Sequence, residues 1–193
     1  PLLSVTVPEG STTLEILSGI TKILPNIDRE RFMEQVLANS LEGKLFPSTY
    51  FVLPSYKEED VISLKTKTFT KKVEPIVEES NLPKPLTTLD EVVVLASILE
   101  GEANTEKDMK IVAGILLFRM NIGMPLQVDV AMETYKTKGL PKEPINNPGL
   151  TAIKAVLNPI QTDYLYYITG NDGSMYYSKT YTEHKRNIQK YLK

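Results

Sequence analysis

A chain of 193 residues with 41% hydrophobic content is long and apolar enough to bury one medium core or two small ones, and too apolar for wholesale disorder. Its net charge is −2, with Lys and Arg scattered rather than blocked, which argues against nucleic acid as a main partner. It holds no Cys and one His, His184, which excludes a Cys/His zinc site, a thiol nucleophile and any triad needing a second His; acid–base chemistry then falls to carboxylates, Tyr or Lys, and no metal or cofactor is expected.

The chain starts at Pro1 rather than Met, so it is expected to continue a longer protein. No run of about 18 apolar residues is present to span a bilayer, and no signal peptide is visible. "LLSVTV" reads as a strand, followed by a turn at Pro8-Glu9-Gly10. Thr12 and Glu15 form a capping box, and Leu17, Ile20 and Leu24 recur at helical spacing. Asp28 opens a second helix that buries Phe32 and Val36, and "LEGKLFPSTYFVL" is a turn leading into a β-rich run. A longer helix is predicted from Glu58 to Glu79, with Ile62, Phe69, Val73 and Ile76 on one side. "NLPKPLTT", from Asn81 to Thr88, reads as a seam, dividing the chain into 1–82 and 83–193.

Thr88 and Glu91 form another capping box, opening a helix through "EVVVLASIL". Asn104 or Thr105 caps the next helix, whose stripe is Met109, Val112, Leu116 and Met120 and whose stop is Gly123. Pro148 starts a short helix, and Pro159 lies beyond its end. "DYLYYITG" and "SMYYSK" flank Asn171-Asp172-Gly173, a hairpin signal. "TYTEHKRNIQKYLK" closes the chain as a helix. The reading is an α+β protein.

Glu100 and Glu102, in "ILEGEANTEKD", are the notable acids. Residues two apart on a helix point about 200° apart, so these carboxylates do not flank one bond as a glycosidase pair must. Either could act alone, its pKa raised by burial at an apolar helix end; a solvated acid at a helix end is the commoner case. If "MPLQVDV" is extended, Gln127 and Asp129 share one face and could bind sugar hydroxyls, although a polar strand edge looks the same. Tyr164, Tyr166, Tyr167, Tyr176 and Tyr177 could stack on sugars or simply be half-buried strand residues. His184 on the last helix reads as structural or solvated.

In chain order, these segments resemble the YceG-like endolytic murein transglycosylases. "VTVPEGSTTLEIL" is similar to the family's Pro-Glu-Gly segment, and "LEGKLFPSTY" to Leu-Glu-Gly-x-Leu-Phe-Pro-Asp-Thr-Tyr, with Ser48 in the Asp place. "LASILEGEA" resembles Ala-Ser-Ile-hydrophobic-Glu-Lys-Glu, with Gly101 in the Lys place. "FRMNIGMPLQVD" resembles Asn-Arg-Leu-x-x-Gly-Met-x-Leu-Gln-Ser-Asp, and "GLPKEPINNPGL" resembles Gly-Leu-Pro-Pro-Gly-Pro-Ile-x-Asn-Pro-Gly. "DYLYYI" and "TEHKRNI" match the closing strand and the His-containing end. The family's long loop after the Asp is mostly replaced by "VAMETYKTKGLP", with Tyr135 in the place of its last Tyr, and Met175 stands where a hairpin His is common.

The resemblance implies a LysM-like N-terminal part followed by a mixed helical catalytic domain with a small antiparallel sheet. It implies Glu102 as the catalytic acid, Gln127, Asp129, Tyr135 and Asn147 as substrate-binding residues, and a supporting or structural role for Glu100. The implied reaction is lytic cleavage of the MurNAc–GlcNAc β-1,4 bond of peptidoglycan, leaving 1,6-anhydroMurNAc ends. Implied partners are glycan strands and cell-wall synthesis proteins, at the extracytoplasmic face of a bacterial membrane, with an N-terminal anchor outside this chain. Two other readings are a non-catalytic glycan-binding or scaffold protein, suggested by the shortened loop, and a hydrolytic muramidase with Asp129 as second carboxylate.

Overall fold

Two apolar clusters organise the chain, and the groove described below opens beside the larger. The computed structural model describes residues 1–192. The smaller cluster belongs to β1 (Leu3–Thr6), α1 (Thr13–Ile23), α2 (Arg29–Ala38) and β2 (Thr49–Val52). β1 and β2 pair antiparallel, with Val5 opposite Tyr50, and turn Val5, Tyr50 and Val52 inward onto Leu17, Ile20, Phe32 and Val36. Strand alternation leaves Phe51 on the outer face, 64% exposed. Thr12 caps α1 through the predicted box, and Asp28 caps α2 by accepting from Glu30 and Arg31.

The long helix expected over 58–79 is two helices, α3 (Glu58–Lys72) and α4 (Glu74–Glu78). Pro75 in the first turn of α4 is the cause, because it lacks an N–H and its ring crowds the preceding turn. α3 serves both clusters: Val61 and Ile62 join the smaller, while Phe69, with Val73 and Val77 beyond it, joins the larger. The apolar division therefore falls within α3, ahead of the proline-containing segment at 81–88.

α5 (Leu89–Glu102) is the centre of the larger cluster, and every residue from Val92 to Leu99 is buried. A helix covered on all sides loses the one-face periodicity of a surface helix, and α5 is covered by α6 (Glu106–Asn121) and α7 (Leu150–Leu157). Thr88 and Thr105 cap α5 and α6, and Gly123, with φ +69°, ends the latter. β3 (Tyr166–Thr169) and β4 (Met175–Ser178) form the antiparallel hairpin expected around Asn171-Asp172-Gly173, and α8 (Tyr181–Tyr191) packs on it. The result is a mixed α+β architecture with two small antiparallel sheets. No helix among the described residues is long and apolar enough to cross a membrane.

The two regions are strapped together by residues 145–149. Ser97 on α5 accepts from the Asn146 side chain and receives the Ile145 amide. Asn147, fully buried, forms a bridge with Ser11, and its side chain accepts from the Leu45 amide and donates to Ser11 O and Glu42.

Candidate active site

α5 continues through both acids, so Glu100 and Glu102 leave it in different directions. Glu100 turns toward the strap, where Oε1 accepts from the amide of Gly149, the N-cap of α7, at 2.8 Å. Burial, with the Glu9 carboxylate adding to it, holds Glu100 above the usual carboxylate range, and the Gly149 amide works against this. It is a fold contact.

Glu102 turns into a groove of about 640 Å³ lined by Arg119, Gln127, Asp129, Tyr135, Tyr167 and His184, among others. The Tyr167 hydroxyl donates to Oε2 of Glu102 at 2.9 Å. Burial pushes the Glu102 carboxyl up; Tyr167, the Val130 amide and the Arg119 charge pull it down, and Asp129 adds to the rise. Its seat on the last residue of α5 acts in the same sense as burial, since the negative end of a helix disfavours an anion. A partly shielded carboxyl with a raised pKa keeps its proton to a higher pH than a solvated one and can give it to a bound group.

The segment after α6 is no strand. Gln127 has φ +51° and Asp129 lies in a turn, followed by a 3₁₀ turn at Met132–Tyr135. Gln127 and Asp129 nonetheless both line the groove, because the left-handed residue redirects the chain. The Tyr135 hydroxyl donates to Oδ1 of Asp129 at 2.6 Å, and this bond, with burial and the nearby acids, pushes Tyr135 up to about 12. Thr134, fully buried, pins the turn by donating to Ala131 O and receiving the Val128 amide. Gly101 makes room for it: a Cβ there would stand 2.7 Å from Cγ1 of Val130.

Asn147, expected among the substrate-binding residues, is not in the groove. It has no exposed surface, and its side chain is committed to Leu45, Ser11 and Glu42. Of the five hairpin tyrosines, Tyr166 and Tyr167 line the groove. Tyr177 instead donates to Asp108 and stacks on Tyr164, while Tyr176 stacks on Tyr191.

Three groove residues escape a sequence reading. Arg119 is 4% exposed on α6, and its guanidinium donates to the carbonyls of Leu165 and Leu126, joining the hairpin to the Gln127 segment. Its sequence signals are a cation inside the apolar run "GILLFRM" and its match to the Arg of the Asn-Arg-Leu segment. Tyr181 and His184 enter through α8, with the His184 ring stacked on Tyr166 at 5.1 Å. The match of "TEHKRNI" to a His-containing end is the one signal for His184, and nothing local marks Tyr181, because their place depends on how α8 folds back on the hairpin. Among the described residues no group of three or more His, Asp or Glu could hold a metal ion.

Residues 2–133 and 131–190 match the model of the YceG-like family. Among curated relatives, an endolytic murein transglycosylase of Bacillus subtilis is 28% identical, over 97% of this chain and 65% of its own length. One of Streptococcus pneumoniae is 26% identical, over 99% of this chain and 45% of its own. The chain thus spans less than two thirds of either relative. A crystal structure of a YceG-like protein from Listeria monocytogenes aligns with a TM-score of 0.85 and 25% identity, covering 95% of this chain and 75% of that one. With the family model covering almost its whole length and its fold shared with a solved YceG-like protein, the chain belongs to the YceG-like family.

Proposed function

We propose that this chain is the glycan-cleaving part of an endolytic peptidoglycan lytic transglycosylase, with Glu102 as its single acid and base. One observation carries the reading: a part-buried carboxyl, held by the Tyr167 hydroxyl, stands in an aromatic and polar groove, and it is the acid that the resemblance of "LASILEGEA" implies. Protonated Glu102 gives its proton to the oxygen of the MurNAc–GlcNAc β-1,4 bond as that bond breaks. The oxocarbenium-like centre at MurNAc C1 is closed by the sugar's own C6 hydroxyl, whose proton returns to Glu102. The product is a 1,6-anhydroMurNAc end. Because the substrate supplies the nucleophile, already held close to C1, one carboxyl suffices. Gln127, Asp129 and Tyr135 offer hydrogen bonds to sugar hydroxyls, and Tyr181, 58% exposed, offers a face for stacking.

The β1–α1–α2–β2 unit is our candidate for the LysM-like part, and 83–193 for the catalytic domain. The setting that the family resemblance implies for this reaction is the extracytoplasmic face of a bacterial membrane, beside the cell-wall synthesis proteins and with an N-terminal anchor. A second reading, a hydrolytic muramidase, draws on the Asp129 carboxylate in the same groove. Mass spectrometry of digested peptidoglycan separates the readings: anhydro ends support lytic cleavage and new reducing ends hydrolysis. Binding without new ends leaves a scaffold. Glu102→Gln should abolish cleavage with the fold intact; cleavage retained by that variant overturns the assignment.

A further inference from the structure

Among the described residues, Tyr167 is the side chain that hydrogen-bonds Glu102. The Val130 amide also bonds this carboxyl, while two other polar side chains nearby are engaged elsewhere. Arg119 spends its guanidinium on the Leu126 and Leu165 carbonyls, and the Tyr135 hydroxyl is turned to Asp129. Tyr167 is also held in place. Its ring packs on the larger cluster, and Leu165, two residues earlier, is clamped by Arg119. Its partner across the hairpin, Tyr177, is tied to Asp108 of α6 at 2.6 Å.

We propose that Tyr167 is the positioning residue of the site: its hydroxyl fixes the Glu102 carboxyl at the groove and supports the ionised form that the second half of the reaction needs. The inference rests on Glu102 being the acid and base. An acid that must give a proton and then take one back works best when its two forms lie close in free energy. Burial, the α5 terminus and Asp129 favour the protonated form, whereas the Tyr167 hydroxyl, the Val130 amide and Arg119 favour the ionised one. The titratable and charged groups facing Glu102 are Tyr167 from β3, Arg119 from α6, and Asp129 and Tyr135 from the segment after α6; His184 of α8 also lines the groove. Tyr167 is the one that reaches the carboxyl through a fixed, direct bond.

The test follows the Glu102 carboxyl carbon by NMR titration, using ¹³C-labelled Glu and Glu102→Gln for assignment, alongside the pH profile of anhydro-end formation. Tyr167→Phe keeps the ring and removes the donor. The Glu102 titration and the alkaline limb of kcat/KM should both move up by about one pH unit, with kcat about tenfold lower and KM nearly unchanged. Placing 3-fluorotyrosine at 167, a stronger donor, should move both the other way, and this second variant serves if Tyr167→Phe folds poorly. Titrations that stay put in both variants overturn the proposal. If the wild type forms no anhydro ends while the titrations move, the activity reading fails and the Tyr167–Glu102 coupling stands.

Discussion

Glu102 ends an apolar helix, and the sign of its pKa shift has a consequence for stability. Its folded-state pKa lies above the unfolded value, so the contribution of the protonated carboxyl is fully present at low pH and is lost as pH rises through the folded value. Glu102→Gln mimics the protonated form at every pH. The variant should therefore match the wild type in Tm at pH 4 and exceed it at pH 8. Asp129→Asn keeps an acceptor for Tyr135 and removes a negative charge beside Glu102. It should still yield anhydro ends, with KM raised about tenfold by a weakened sugar contact; loss of all cleavage would favour the two-carboxylate reading instead. Glu100→Gln retains the acceptor for Gly149 and should leave cleavage close to wild type. The divergence of the two acids was legible in their two-residue spacing. Their different partners, Gly149 and Tyr167, lie 49 and 65 residues away and were not.

Within the helices, α3 carries the least expected side chain. Lys65 is 1% exposed, its ammonium has no hydrogen-bond partner among the described residues, and it sits 4.1 Å from the centre of the Tyr50 ring. Burial pulls it down to about 7. Below that pH the group is charged in both folded and unfolded chains, and the fold bears the cost of burying it. Between about 7 and the unfolded value of 10.5 the folded chain has lost the proton that the unfolded chain keeps, so stability rises with pH. Lys65→Met should stabilise the protein by about 2 kcal/mol at pH 6, with the gain shrinking toward pH 10. Denaturant midpoints at the two pH values check it. The i, i+3, i+4 spacing of α3 was readable, but Thr and Lys between the apolar positions gave no sign that this Lys faces inward. Pro75, by contrast, was a local signal that should have split the 58–79 helix, because a missing N–H and a ring clash act whatever the tertiary setting.

Across the whole molecule, Asn147 is the joint. Its side chain is buried with bonds to Leu45, Ser11 and Glu42, tying the β1–α1–α2–β2 unit to the residues that lead into α7. Asn147→Ala strands these partners in a dry interior and should cost about 3 kcal/mol, lowering Tm by roughly 6–12 °C. Asn147→Asp should be worse, since it replaces the donor to Glu42 and Ser11 O with a negative charge. A rise in KM with no loss of stability would instead return Asn147 to the binding surface. An Asn beside Pro-Gly resembles a loop residue available to substrate in sequence; only the approach of Ser11 and Leu45, 136 and 102 residues away, makes it internal.

By itself the sequence determined the caps, the central buried helix, the closing hairpin and the pair of acids, because each is written in residues within a few positions of one another. A Thr accepts from an amide three residues on, and a Gly tolerates the positive φ that ends a helix without a Cβ clash. Only the tertiary structure decided which acid meets a groove, that Arg119 clamps the hairpin to the Gln127 turn, that α8 brings Tyr181 and His184 to the wall, and that Asn147 is a joint. These depend on which distant segments share a dry interior, and local preference carries no information about that.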